Sequence, residues 1–447
     1  MKTNFSGMNI KGKINLLRNE CANFDSRYSM QTHDYRGIEK ALTKYAQNLL
    51  HEWNPSCKRE NNISEGIQVI DFFCGCGGMS LGFTSLSPFF RVIGGCDIDP
   101  DAVASYEKNI AKPGVQLDVN TLTNNNTTLN KFLKKLDNFS KKSPLVLIGC
   151  APCQGFTSHR KKHWSKEDYR NSLIVSFASI AVKLNPDCII MENVPEMLSH
   201  KYWAYFMEAK VLLERAGYVV KQNIFNAASF GVPQERFRAL VICMKKDYLL
   251  PESLIADPKQ FVTVRRAIEH LPPIDAGAVY NKDSLHRSAN HRRSTLETIR
   301  AIPRNGGSRP KGVGPKCLDR VKGFSDVYGR LNWDKPSITI THYARNPASG
   351  RYVHPEQDRG LTIREAALLQ SFPTNIEFVG SFDSIFKQIG EAVPPMFACA
   401  IAAHVLVELI SQPPSKEMLN TGIHSLEEPV SSSYSSVIAG IKLNRKK

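Results

Sequence analysis

The chain has 447 residues, a formal net charge of +16 and a sequence pI near 9.3, with 42% hydrophobic and 22% charged residues. That length predicts two lobes with a sizeable core, and the composition is that of a soluble globular protein, which excludes a membrane-embedded chain. The positive excess points to a polyanionic partner, because each Lys or Arg set on a phosphate releases condensed counterions, although a merely basic surface gives the same count.

The eleven cysteines are odd in number and many lie in apolar runs, which fits reduced intracellular thiols better than a disulfide framework. No CxxC pair has zinc spacing, and Cys74-Gly75-Cys76 reads as small residues filling a tight turn. The opening MKTNFSGMNIKGK lacks the apolar core of a signal peptide, and no run reaches the roughly 18 to 20 apolar residues that span a bilayer. A cytoplasmic location is expected.

Residues 1–65 are polar, with helical potential around 37–53 and no interpretable motif, and form an N-terminal extension. From Gly66 the texture changes: GIQVIDFF is a short apolar run ending near Asp71, followed by CGCGG and MSLGF. Strand, glycine turn and helix in that order open a nucleotide-binding α/β unit, in which glycines let the backbone turn sharply and approach a ligand. A second strand, FRVIGGCDID, brings Asp97 and Asp99 about 26 residues after Asp71, near where such folds place an acid on a ribose hydroxyl pair. A helix over 101–110 leads to Leu117-Asp118-Val119, a third acid after a short apolar run, and 121–142 reads as a loop with a polar helix.

PLVLIGC is then a buried strand that delivers Cys153 behind a proline, at the start of a polar loop. A thiol so placed suits an exposed nucleophile. The following loop, 156–170, holds Arg160, Lys161, Lys162, Lys166 and Arg170, and is placed to close over a phosphate backbone. A helix over 172–184 precedes DCIIMENV, another buried strand, which ends in Glu192-Asn193. The paired strands GYVVKQNIFNA and RFRALVICM flank the turn Gly231 to Arg236.

From 245 to 335 the α/β rhythm stops. That stretch holds 18 Lys and Arg against 10 Asp and Glu, so half the net charge lies in a fifth of the length, as in a loop-rich lobe that contacts nucleic acid. Within it Tyr328, Arg330 and Trp333 suit lobe core and base reading equally. Order returns with PSITIT as a strand, TIREAALLQSF as a helix entered through Thr362, and an apolar helix over 396–410. The tail from Ser411 carries no assignable function. Among single residues, Cys150 and Cys188 read as core, Asp99 as a helix cap, and His159 and His163 as a solvated face.

Cys153 and Glu192 each follow a parallel-type strand, so both project at the carboxyl edge of one sheet, with the glycine turn, Asp97 and Asp118. Taken in order, these stretches resemble a DNA (cytosine-5)-methyltransferase of the bacterial restriction-modification type. The matching segments are Asp71 to Gly78, Pro152-Cys153-Gln154, Glu192-Asn193-Val194, Gln234 to Arg238, Arg364 to Ala367 with Leu369 to Pro373, and Gln388 to Pro395.

The resemblance implies a Rossmann-like S-adenosyl-methionine-dependent domain at 66–244, and a smaller, loop-rich target-recognition domain at 245–361. It implies a return to the catalytic domain at 362–412 and a flexible tail at 413–447. It implies that the Cys153 thiolate adds to carbon-6 of a flipped-out cytosine, that Glu192 meets the ring nitrogen and amine, and that Arg238, with Arg236, holds the ring oxygen and the adjacent backbone. S-adenosyl-L-methionine would lie against Phe73, Gly75, Gly77, Gly78, Asp97, Ile98, Asp118, Pro152 and Leu173, completed by Glu391, Ala392 and Val393; no metal is expected. Glu391 departs from the family's usual Asn, and Cys150-Ala151 from its usual small residue and proline. Double-stranded DNA, a monomeric state, a cognate restriction endonuclease and a nucleoid-associated location follow by the same resemblance. Two other readings stand beside it: a transfer-RNA cytosine methyltransferase with the same catalytic set, and a DNA-binding regulator that has lost catalysis. The first lacks its Cys-Phe-Thr signature here, and the second predicts a broken motif where PC, ENV and QxRxR are intact.

Overall fold

The computed structural model describes residues 35–53, 66–152 apart from 88, 111 and 124, 173–320 and 326–431. By backbone contacts the chain forms two compact units. The first comprises 1–225, 237–252 and 398–447, the second 226–236 and 253–397. The turn before Arg236 and the stretch 362–397, read from the sequence with the catalytic part, thus group with the second unit.

The first unit is built on a seven-stranded sheet. Its strands are β1 (Ile67–Phe72), β2 (Phe90–Asp97), β3 (Gly114–Gln116), β4 (Leu145–Gly149), β5 (Cys188–Asn193), β6 (Val219–Asn226) and β7 (Phe237–Met244), in the order β3-β2-β1-β4-β5-β7-β6. Strands β1 to β5 run parallel, and β7 pairs antiparallel with β5. Buried parallel strands read as unbroken apolar runs because helices cover both faces, and β1, β4 and β5 are buried at every position. The strand order reverses direction between β1 and β4, where open α/β sheets form a crevice at their carboxyl ends. The glycine turn leaves β1 there, and Cys150-Ala151-Pro152 leaves β4.

Helix Tyr35–His51 precedes the sheet, with Leu42, Ala46 and Leu50 buried. It is tied to the first unit by Arg36–Glu252 and by a 3.1 Å contact between Glu39 Oε2 and Nδ1 of the buried His404. The stretch Phe382–Ile410 is long and apolar enough by composition to cross a membrane, although charged residues interrupt its apolar run. It is two helices interrupted before Pro395, and 83% of its most apolar window is buried inside the protein.

The second unit carries a hairpin, β8 (Val279–Tyr280) with β9 (Asp283–Arg287), and the helices Val264–Ile268, Arg293–Arg300, Ile363–Leu369 and Phe382–Glu391. One of its apolar clusters gathers Ile299, Ile302, Val327, Tyr328 and Val353. Buried polar side chains hold this part of the fold alongside the apolar ones. Arg330, wholly buried, donates to the carbonyls of Ile299, Ile302, His354 and Gln357 and pairs with Asp358 at 2.5 Å. Arg359 grips Glu365 through two bonds of 2.8 and 2.7 Å, and Glu365 closes a capping box with Thr362. Tyr328, Arg330 and Trp333 are all buried, so they belong to the lobe's interior. The strand expected from PSITIT does not form. Ser337 makes a single bridge with Gln234, and the N–H of Ile340 goes to the Gln234 side chain, so side chains take the place of a neighbouring strand.

Candidate active site

At the carboxyl edge of β1 the chain enters a turn that two backbone angles define: Phe73 at φ 58° and Gly77 at φ 93°. Gly77 opens helix Gly78–Thr84 from the left-handed region, which a glycine enters without steric cost. The N–H of Gly75 donates to Asp97 Oδ2 at 2.9 Å, and that of Asp99 to Asp97 Oδ1 at 2.9 Å. Burial pushes the Asp97 carboxyl up from its ordinary value, and those backbone donors pull it back. Asp99 caps the next helix through the N–H groups of Asp101 and Ala102. Ile98, between the two acids, is 59% exposed. Asp118 is half-buried and accepts from the N–H of Asn120. Phe73 is half-buried and meets Phe177 edge-on at 6.4 Å, and Leu173 is buried at the start of helix Leu173–Leu184.

Beneath the turn, Asp71 is completely buried and accepts from Ser80 Oγ at 2.5 Å. Burial raises its pKa to about 8. Burial also lifts the thiols of Cys74, Cys96 and Cys150 well above the ordinary range and that of Cys76 to about 12, so these four are neutral packing groups. Cys153 lies outside the described residues, as does the basic loop 156–170.

The other side of the crevice is fixed by β5 and β7. Glu192 pairs across the ladder with Leu240, and Arg238 lies two residues from Leu240, so the two side chains share a face as diagonal neighbours. Arg238 Nε meets Glu192 Oε1 at 2.9 Å, both side chains being nearly buried. Asn193, which the sequence reading quoted without a role, donates from Nδ2 to the Ala151 carbonyl at 3.1 Å, and the N–H of Cys150 donates to Phe72 O at 3.2 Å. The two residues before the half-buried Pro152 are thereby tied to the ends of β1 and β5. The signal for Asn193 was its place directly after the acid.

In the second unit Glu391 is exposed, Ala392 half-buried and Val393 buried. Arg236, expected beside Arg238 on a ring, has its guanidinium on the carbonyls of Ile340, Gly390 and Ala392. Among the described residues no cluster of His, Cys, Asp and Glu could hold a metal ion.

The model of the C-5 cytosine-specific DNA methylases matches residues 67–406. The chain belongs to that family. A Type II methylase of Herpetosiphon aurantiacus, M.HgiDII, is 31% identical over 347 residues, which cover 75% of this chain and 94% of that protein. A Type II methyltransferase of Haemophilus parahaemolyticus, M1.HphI, is 36% identical over 347 residues, covering 76% and 87%. A crystal structure from E. coli, described as a prophage-encoded DNA modification methyltransferase, aligns with a TM-score of 0.60 and 25% identity over 77% of this chain and 100% of that one. As a C-5 cytosine-specific DNA methylase the chain acts on DNA and draws its methyl group from S-adenosyl-methionine, as family and fold imply.

Proposed function

We propose that the chain is the methylase of a Type II restriction-modification system, and that it modifies one cytosine in a specific duplex sequence through a covalent adduct of Cys153. The observation that supports this most is the buried Arg238–Glu192 pair, held beside the strand end that leads to Cys153. A flipped cytosine would find Glu192 at its ring nitrogen and amine and Arg238 at its ring oxygen. With Arg238 on Oε1, the ring would be met by Oε2, which can share a proton as charge builds during attack of the thiolate on carbon-6. Loss of the carbon-5 proton then lets the thiol leave.

The cofactor pocket passes a simple test of fit. A Cβ built on Gly75 would touch nothing within 4 Å, so the space over the turn is open. Each Asp97 oxygen already accepts one backbone N–H, and a carboxylate has lone pairs left for two ribose hydroxyls. Ile98 offers exposed apolar surface beside that acid for an adenine face, and Asp118 lies one strand further on. Phe73, Gly77, Gly78, Pro152, Leu173 and the turn Glu391-Ala392-Val393 would complete it. S-adenosyl-methionine, when bound there, supplies an electrophilic methyl group. A monomeric state, an endonuclease cutting the same site, and a nucleoid-associated cytoplasmic location belong to the same reading.

Methyl incorporation into duplex DNA and into transfer RNA is the test. Label in DNA, and its disappearance in Cys153→Ala, is expected. Label in RNA alone, or full activity of Cys153→Ala, overturns the reading, and bisulfite sequencing of DNA from expressing cells identifies the target.

A further inference from the structure

We infer that Arg236 is a positioning residue that holds the turn Glu391-Ala392-Val393, and that it makes no contact with the target base. The inference rests on the reading of that turn as part of the cofactor pocket. Arg236 is 1% exposed, and its guanidinium is committed: Nη1 donates to Ile340 O at 2.9 Å, Nη2 to Gly390 O at 2.9 Å and to Ala392 O at 3.1 Å. Two of those carbonyls close the C-terminal end of the ten-residue helix Phe382–Glu391, where the last carbonyls have no partner within the helix and its dipole is negative. A buried cation is at home there, and moving it to a base would strip three buried acceptors at once.

The neighbouring residues show why this clamp is specific. Residues 233 to 236 run extended beside Ser337, with Ser337 N bonded to Pro233 O and Glu235 N to Ser337 O. Alternation along an extended segment sends Glu235 outward and turns Gln234 and Arg236 inward together. Gln234 Oε1 accepts the N–H of Ile340 at 2.8 Å, which orients its amide; Nε2 then donates to Gln370 Oε1 at 2.6 Å. Gln370, oriented in turn, donates from Nε2 to Ala392 O at 2.6 Å. Ala392 O is thus gripped from two sides. Gly390 allows the turn to lie against the chain beside it, since a Cβ there would fall 2.2 Å from the backbone N of His342. The clamp fixes residues 390 to 392 against 340 to 342, and the adjoining Glu391 takes its place from that backbone.

The test separates cofactor affinity from base chemistry in the full-length protein. Binding of S-adenosyl-homocysteine is measured by calorimetry without DNA, and covalent capture is measured with duplex carrying 5-fluorocytosine at saturating S-adenosyl-methionine. Arg236→Lys, which can satisfy fewer of the carbonyls, is expected to weaken cofactor binding by roughly tenfold or more, with Gln370→Ala smaller in the same direction. The KM for cofactor rises by a larger factor than kcat at saturation falls. Arg238→Lys is expected to bind cofactor normally and to lose capture. Unchanged cofactor affinity in Arg236→Lys with lost capture overturns the inference; should that variant fail to fold, unchanged affinity in Gln370→Ala does so. An unaltered protein that binds no cofactor refutes instead the pocket on which the inference rests.

Discussion

The two units solve the same problem, holding polar groups in place, by opposite means. In the first, the backbone does it. Asp97, Asp118 and Glu192 sit at or just beyond the ends of strands, and several buried ionisable groups are held neutral: Asp71, Cys74, Cys96 and Cys150 are all pushed toward their protonated forms by burial. In the second, strands are few and charged side chains do the holding. Arg330, Arg359 and Glu365 are buried, each bonded to several partners. A unit framed by a sheet can present an acid to a ligand without further support. A unit framed by loops uses some of its charges internally, so Arg330, within the basic stretch 245–335, is structural and is not available to DNA.

The largest effect expected from breaking this contrast is in the first unit. Glu192→Gln keeps the size of the side chain and its contact with Arg238 but cannot move a proton, and methyl transfer should fall by about 10²- to 10⁴-fold with little change in melting temperature. An equal loss of stability would mean that the pair is structural, as in the second unit. Arg330→Met is the converse: four buried carbonyls and Asp358 lose their donor, and the second unit should lose about 3–5 kcal/mol. Hydrogen exchange should rise around 293–300 and 353–359, and an unchanged pattern would show that the apolar core alone carries this unit.

A smaller effect distinguishes the units by pH. Asp71 has a folded pKa of about 8 against an ordinary 3.8, so the first unit loses stability as pH rises between those values. His404, raised by Glu39 against the opposing effect of burial, acts in the same sense, since its contribution is lost as pH rises through its folded value. His354 is the opposite case: burial lowers it to about 4 from 6.5, so the second unit loses stability as pH falls through that window. Glu365, held near 2 by Arg359 despite its burial, adds a further loss below 4.5. The Asp71 and His354 windows should each contribute on the order of 1 kcal/mol per pH unit, read by exchange mass spectrometry at pH 5 and pH 8. Asp71→Asn should flatten the alkaline arm in the first unit alone.

The same contrast explains what the sequence made legible. The sheet could be read because unbroken apolar runs leave few alternatives, and the acids could be placed because each closes such a run. The helix after Thr362 could be read from its capping box, a purely local signal. PSITIT misled because its alternation promised a strand, whereas Ser337 makes only a single bridge with the backbone around Gln234 and the Ile340 N–H is served by that glutamine's side chain, more than a hundred residues away. Tyr328, Arg330 and Trp333 stayed ambiguous for the same reason: an arginine in a basic stretch looks like a phosphate contact until its carbonyl partners are known. Arg236 shows the limit most clearly, since its motif marks it as important without saying which of its neighbours it serves.

The helix Tyr35–His51 has one more consequence. The family match begins at residue 67, yet Glu39 lies before that point and partners a histidine buried in the last long helix. A chain trimmed to residue 67 would therefore leave the buried His404 imidazole without its Glu39 contact and expose the surface on which Leu42, Ala46 and Leu50 are buried.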